Sequence, residues 1–495
     1  MAYILNSFSK SKPGHTVGLF DVRVKNPGIP LNVEGKTVSL SDSEQHTMVI
    51  GSSGRGKTRR VLYPSVILAA RAGRSMIIND PKGEIYRATA NEVRRCGHRV
   101  KVLNLRNPAC GDRWSPLSLV QRYWDSGDHS RAIELLSDIA ELVTLCVTTD
   151  RDPYWRQASM DCFVGFGLLI LERDWHLTFD NIHALANEYF LHRKEERAVI
   201  RDRLDKEADS YRRLCTIVEL ESDTTLGCVI SEFNTSITEY VSRADVRDML
   251  CGSDFVLPSI GQIPTAYYLV AKDESKSLHS IASLFIDQAY SELVQYADTR
   301  EDNVLPIRVD FILDEFGSIT GSDWVNKMTA ARSRGIRFTI ALQNLSQLVA
   351  GYGEDGTQAI LSNCRTVQYL GGRDFRMMSI LTSMGGVEYD RLGVPRPCLT
   401  INDLAGMPVG ETMILDDSGR PHKGHLPDWS AWGIRERARL SDKKRQFLRG
   451  GRATFAELLA VPQEEPCETA MPDKDETDLW IDKILSDTNG TEEPF

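Results

Sequence analysis

Thr47-Met-Val-Ile-Gly51-Ser-Ser-Gly-Arg-Gly-Lys57-Thr58 is the stretch that decides the fold. An apolar run leads into Gly51-x-x-x-x-Gly56-Lys57-Thr58, the spacing of a phosphate-binding loop, and a helical pattern follows over 59–72. The physics needs that order. Glycines let the consecutive backbone N–H groups of Gly51, Ser52, Ser53, Gly54, Arg55 and Gly56 turn toward phosphate oxygens. The helix behind them adds the positive end of its dipole. Lys57 would reach the β- and γ-phosphates of ATP, and Thr58 would ligate Mg²⁺. A chance match in a glycine-rich turn is the competing reading, and the strand–loop–helix setting disfavours it.

Outward from the loop, buried-strand patterns recur at 75–80, 99–104, 266–271, 307–313, 337–342 and 366–370, alternating with helical patterns. Such alternation predicts the α/β class, with a mostly parallel sheet covered on both faces. Residues 1–45 alternate apolar and polar positions around Gly and Pro, including Val17-Gly-Leu-Phe, Val22-Arg-Val and Thr37-Val-Ser-Leu. They predict short antiparallel strands. From 113 to 255 the pattern is helical, with few strand signals, which predicts an all-α domain inserted into the α/β domain. The expected organisation is a β segment at 1–45, the nucleotide-binding domain at 46–112 and 256–434, the helical insert at 113–255, and a basic stretch then an acidic, disordered tail at 435–495.

Phe311-Ile-Leu-Asp314-Glu315 reads as a buried strand with carboxylates at its C-terminal edge, where open α/β sheets bind ligands. Asp314 is placed to hold the Mg²⁺ shell, and Glu315 to take a proton from the attacking water. Gln343 ends the next strand and could sense hydrolysis; an ordinary capping role is the alternative. Arg332-Ser-Arg334-Gly-Ile-Arg337 could supply a transition-state cation to a neighbouring subunit, Arg332 ahead of Arg334, or could be a solvated helix end. Asp80-Pro-Lys82-Gly-Glu84 is expected at the end of the strand beside the loop strand, where Asp80 and Lys82 could touch nucleotide or a subunit boundary. A capped helix start is the alternative. His422-Lys-Gly-His425 lacks further ligands nearby and reads as a surface loop rather than a metal pair. No nucleophile elbow is present for Ser/His/Asp hydrolysis.

The 495 residues are 41% hydrophobic and 26% charged, which excludes disordered, collagenous and disulfide-scaffold classes. The net charge is -10, but 464–493 holds 11 acids against Lys474 and Lys483, so the body is near neutral. Bulk acidity argues against coating DNA by charge; it leaves room for a motor with a confined basic channel. Residues 435–452 carry eight Lys/Arg against two acids. The ten Cys show no CxxC pair and read as small buried residues in a reducing cytoplasm. No signal peptide is visible. The most apolar stretch, 162–171, is about half a bilayer span and predicts a buried helix.

Taken in order, Gly-Ser-Ser-Gly-Arg-Gly-Lys-Thr, Asp80-Pro-Lys-Gly-Glu, Trp114-Ser-Pro-Leu, Asp152-Pro-Tyr-Trp, Leu313-Asp-Glu-Phe, Ala331-Arg-Ser-Arg-Gly and Leu342-Gln-Asn-Leu-Ser-Gln-Leu resemble the coupling ATPases of bacterial conjugation and type IV secretion, over about 15–415. The resemblance implies a RecA-like P-loop NTPase domain with an inserted helical domain, assembling as a homo-hexameric ring. It implies ATP hydrolysis with Mg²⁺, coupled to moving single-stranded DNA and its relaxase toward the channel components of the secretion system. Carried over, Lys57 and Thr58 bind phosphate and Mg²⁺, Asp314 and Glu315 serve metal and water, Gln343 couples, and Arg332 falls on the trans-acting Arg. Family members usually begin with membrane-spanning helices, and none is visible here. The expectation is either a soluble branch, cytoplasmic at the inner face of the membrane and docked on a separate anchor protein, or a chain cut short or domesticated. The helical domain would contact the substrate. Trp480, Ile484 and Leu485 share one helical face and would suit a docking peptide, a disordered tail being the alternative. Two other readings stand beside the pump: a chromosome- or virus-type DNA translocase, and a recruitment platform whose ring gathers cargo with little turnover.

Overall fold

Apolar runs bounded by Gly, Pro and Asp become the strands of one large sheet. In the computed structural model, residues 15–145, 153–271, 278–319, 324–390, 392–417, 420–434, 436–446 and 453–455 are described. They fall into two units: the described parts of 1–106, 257–282 and 289–441, and those of 107–256, 283–288 and 442–495.

The first unit is α/β. A small antiparallel sheet holds β1 (His15–Gly18), β2 (Pro30–Glu34) and β3 (Thr37–Leu40), in the order β1-β3-β2. The nine-stranded sheet adds β4 (His46–Ile50), β5 (Ser75–Asp80), β6 (Arg99–Asn104), β7 (Thr265–Val270), β8 (Val309–Leu313), β9 (Ile336–Leu342) and β10 (Cys364–Tyr369). A separate exposed hairpin pairs β11 (Val387–Tyr389) with β12 (Pro395–Pro397). The last two strands of the large sheet are β13 (Glu411–Leu415) and β14 (His422–His425). Its order is β14-β13-β10-β4-β9-β8-β5-β7-β6. From β10 to β6 all pairs are parallel; β13 and β14 join antiparallel at one edge.

Every residue of β4, β5, β7, β8 and β9 is buried, as parallel strands covered on both faces require. The outermost strand, β6, instead carries Arg99 and Lys101 and is partly exposed, which protects an edge from pairing. β4 lies between β9 and β10, both distant in sequence, so the chain leaves it in one direction and returns on the other side. The loop after β4 sits at that switch point. At the other end of β4, the His46 ring ties three elements. Its Nδ1 accepts from Phe338 N–H at 3.0 Å, and its Nε2 donates to the Met328 carbonyl at 2.7 Å. Asp310 on β8, fully buried, is paired with both Arg74 and Arg337.

The second unit is helical. Its helices span Leu117–Asp125, His129–Leu145, Pro153–Leu171, Phe179–Leu191, Lys194–Arg203, Asp209–Val218, Asp223–Val241 and Ala244–Leu250. Cys162 to Leu171 is buried on every side, so the most apolar stretch is a core helix as its composition predicts. Phe179 stacks on Tyr240 at 4.7 Å within this core. Arg445 anchors here as well, donating to Asp248 Oδ2 at 3.0 Å and to the Pro108 and Gly111 carbonyls at 2.7 Å.

Several expectations are corrected. Val22-Arg-Val24 is not a strand; β2 begins only at Pro30. His422-Lys-Gly-His425 is edge strand β14, not a surface loop, and His422 is buried. β5 is not the neighbour of β4: β9 and β8 lie between them. Of the eight described cysteines, all free thiols, only Cys110, Cys162 and Cys364 are buried, and Cys228 is exposed. Among the described residues, no helix is long and apolar enough to cross a membrane. The acidic tail at 464–493, with Trp480, Ile484 and Leu485, lies outside the described residues.

Candidate active site

The loop after β4 is held at its start by strands on either side of β4. Gly51 N–H donates to Leu342 O on β9 at 3.1 Å, and Ser52 N–H donates to Gly371 O beyond β10 at 3.0 Å. Gly54 and Gly56 have φ of 80° and 93°, the left-handed region that glycine enters without strain. A Cβ on Gly56 would lie 2.8 Å from the Arg60 side chain. After the loop, the helix opens with a wide π-type turn over Lys57–Leu62 before continuing as Tyr63–Arg71. Such turns cluster at functional sites. Two arginines, one before the turn and one within it, fasten it: Arg55 donates to Met407 O at 2.8 Å, and Arg60 to Leu426 O at 2.5 Å.

The Lys57 ammonium, only 8% exposed, folds back on the Gly51 carbonyl at 2.6 Å. Burial lowers its pKa, and Lys82 adds to that fall, while Asp314 and Glu315 oppose it. A buried cation at the mouth of a glycine-rich loop fits a polyphosphate. Thr58 Oγ1 donates to Asp314 Oδ2 at 3.1 Å, so the hydroxyl and carboxylate that would share a divalent cation already meet. Burial raises the Asp314 pKa, and the nearby Lys57 and the Thr58 hydrogen bond lower it.

Glu315 follows in the left-handed region, with φ 52° and ψ 46°. A non-glycine residue there marks strain that functional sites tend to retain. Its Oε1 accepts from Gln343 Nε2 and from Lys82 Nζ, each at 3.3 Å. Gln343 N–H in turn donates to Gln347 Oε1 at 3.1 Å. Lys57, Thr58, Asp314, Glu315, Gln343 and Lys82 are therefore brought together.

The remaining candidates are engaged elsewhere, although Asp80 lies near enough to Asp314 to feel its charge. Asp80 is 1% exposed, and its Oδ2 accepts from Tyr86 N–H at 2.8 Å, so it caps the helix Glu84–Arg95. Burial raises its pKa to about 7, against the backbone N–H bonds it receives. The bland reading holds for Asp80, while Lys82 from the same motif reaches Glu315. Arg334 forks onto Asp298, with bonds of 2.9 and 3.2 Å. Arg332 is exposed and donates to Gln45 at 2.8 Å, just before β4 begins. Both arginines precede β9, at the N-terminal edge of the parallel strands, opposite the loop of their own chain.

Two features escaped the sequence reading. Asn79, at the end of β5, donates from Nδ2 to Asp314 O at 2.8 Å and accepts Asp314 N–H at 3.3 Å. It locks the backbone that presents the carboxylates. Its signal was an Asn closing an apolar strand. The other is a cleft beside the loop, lined by Ser52, Ser53, Gln343, Asn344, Tyr369 and Arg373. No local motif announced it, because it is assembled from the ends of three strands.

Solved structures similar to this chain show the fold. The plasmid coupling protein TrwB with the ATP analogue ADPNP superposes with a TM-score of 0.61 at 16% identity, covering 87% of this chain and 94% of that one. TrwB with ADP and Mg²⁺ gives 0.60 at 16%, covering 83% and 90%. The bacterial conjugative coupling protein TrwBdeltaN70 with sulphate gives 0.59 at 16%, covering 82% and 89%. At this identity the likeness shows a common RecA-like α/β fold. No curated protein sequence matches the chain. The family described as Type IV secretory system Conjugative DNA transfer matches residues 5–374, three quarters of the sequence and the whole of the phosphate loop and carboxylate strand, and the chain belongs to that family.

Proposed function

We propose that this chain is an ATP-driven coupling motor that recruits relaxase-bound single-stranded DNA and moves it to a type IV secretion channel. One observation carries the reading: Lys57, Thr58, Asp314, Glu315 and Gln343 converge at the C-terminal edge of one parallel sheet. The TrwB complexes with an ATP analogue and with ADP and Mg²⁺ support ATP and Mg²⁺ as its ligands.

The backbone N–H groups of Ser53, Gly54 and Gly56, with Lys57, hold the triphosphate, while those of Gly51, Ser52 and Arg55 are spent on the Leu342, Gly371 and Ser52 carbonyls and shape the loop. Thr58 and Asp314 would hold Mg²⁺, which would offset the phosphate charge during transfer. Glu315 takes a proton from water as its oxygen bonds to the γ-phosphorus and the bond to the β–γ bridging oxygen breaks, releasing ADP and inorganic phosphate. Gln343, on the Glu315 carboxylate, relays the loss of the γ-phosphate along β9. Arg332 cannot serve its own loop from the opposite edge of the sheet; in a ring of six it would face a neighbour's phosphates. Arg334, already paired with Asp298, is the weaker candidate. The helical unit would contact the cargo.

Phosphate release with and without single-stranded DNA tests the reading. Turnover stimulated several-fold by DNA is expected. Turnover indifferent to DNA, with relaxase still captured, would replace the pump by a recruitment platform.

A further inference from the structure

The turn Asp80-Pro81-Lys82-Gly83 is built more firmly than a helix start needs. Gly83 has φ 65° and donates its N–H to Asp80 O at 3.0 Å. A Cβ there would lie 3.1 Å from Val270 and 3.4 Å from Arg87. Asp80 is buried and spent on capping the next helix. The Lys82 carbonyl accepts from two guanidinium groups, Arg106 at 2.8 Å and Arg87 at 3.0 Å. The backbone of Lys82 is therefore fixed from both sides, and its side chain carries the ammonium across to Glu315 Oε1 at 3.3 Å.

This ion pair stabilises the fold little, since Lys82 is 43% and Glu315 23% exposed and water screens them. Its geometry is the informative part. Gln343 Nε2 and Lys82 Nζ converge on the same carboxylate oxygen, which fixes the rotation of the group and presents Oε2 for proton transfer. The two donors come from opposite flanks: Gln343 follows β9 and Lys82 follows β5, while Glu315 follows β8 between them. We propose that Lys82 is a positioning residue that aims the Glu315 carboxylate at the attacking water. The proposal rests on Glu315 being the base, and its test separates the two claims.

Four variants of the full chain are compared with the parent: Lys82→Ala, Lys82→Arg, Glu315→Gln and the double variant Lys82→Ala/Glu315→Gln. ATP affinity is measured with a fluorescent analogue, and turnover by phosphate release. Lys82→Ala is expected to lower kcat roughly 10- to 100-fold, as a misaimed group does, with affinity unchanged. Lys82→Arg should recover part of the loss. The double variant should be no slower than Glu315→Gln alone, because both changes act through one carboxylate. Parent-like turnover by Lys82→Ala beside an inactive Glu315→Gln overturns the positioning role and leaves the base intact. An active Glu315→Gln removes the base itself. A fall in ATP affinity in Lys82→Ala, with kcat unchanged, would make Lys82 a phosphate ligand and overturn the proposal. A circular-dichroism melt of Lys82→Ala that matches the parent excludes loss through unfolding.

Discussion

At the scale of single residues, the chemistry is concentrated where the backbone is unusual. Gly56 and Glu315 both occupy the left-handed region, one in the phosphate loop and one after the carboxylate strand. Gly56 does so without cost; alanine there would meet backbone strain of roughly 1–3 kcal/mol and press a methyl against Arg60. Gly56→Ala should therefore lower the thermal midpoint by several degrees and weaken ATP binding together. An unchanged midpoint with unchanged affinity would show that the loop does not need this conformation. The loop residues were legible because Gly51 to Thr58 are contiguous and their spacing is dictated by phosphate geometry. The partnership of Lys82 with Glu315 was not, because 233 positions separate them and only the order of strands brings them together. Asn79 escaped for the same reason: its partner is the backbone of another strand.

At the scale of elements, apolar runs located the interior strands. Ser75–Asp80, fully buried, and Arg99–Asn104, a partly exposed edge strand that alternates charged and apolar residues, are both legible to the residue. Strand order was less legible. The reading placed β5 beside β4, whereas β9 and β8 insert between them, and nothing local in either sequence encodes that choice. β14 was missed because His422-Lys-Gly-His425 alternates buried and exposed positions without an apolar residue. His46, at the start of β4, gives this scale a measurable consequence. It is buried, it hydrogen-bonds the backbone on both sides, and burial, together with Arg332 and Arg337, pushes its pKa down from 6.5 to about 4. Below pH 6.5 the unfolded chain takes up a proton that the native chain refuses. Stability present above pH 6.5 is thus lost as pH falls toward 4, by up to about 3 kcal/mol at 1.36 kcal/mol per pH unit. Urea unfolding at pH 7 and pH 5 should show this loss in the parent and a smaller one in His46→Gln. Equal losses in both would remove His46 as the source.

At the scale of the whole molecule, parallel strands set a polarity. The phosphate loop, Asp314, Glu315 and Gln343 occupy the C-terminal edge; Arg332 and Arg334 occupy the other. On the proposed reading, an arginine at the opposite edge of the sheet from its own chain's loop and carboxylates would act on a neighbouring copy in a ring. The α/β class and the parallel sheet were legible from the alternation of patterns, and the family from the motif order. The central claim is that a triphosphate gripped at 51–58 is split by Glu315. It is tested most directly by mixing the protein with labelled ATP, Mg²⁺ and single-stranded DNA and quenching a single turnover. The parent is predicted to convert its bound ATP to ADP and phosphate. Glu315→Gln is predicted to bind ATP with equal affinity and to hold it uncleaved, at least roughly 100-fold slower. Phosphate released by the Gln variant at the parent's rate would contradict the account.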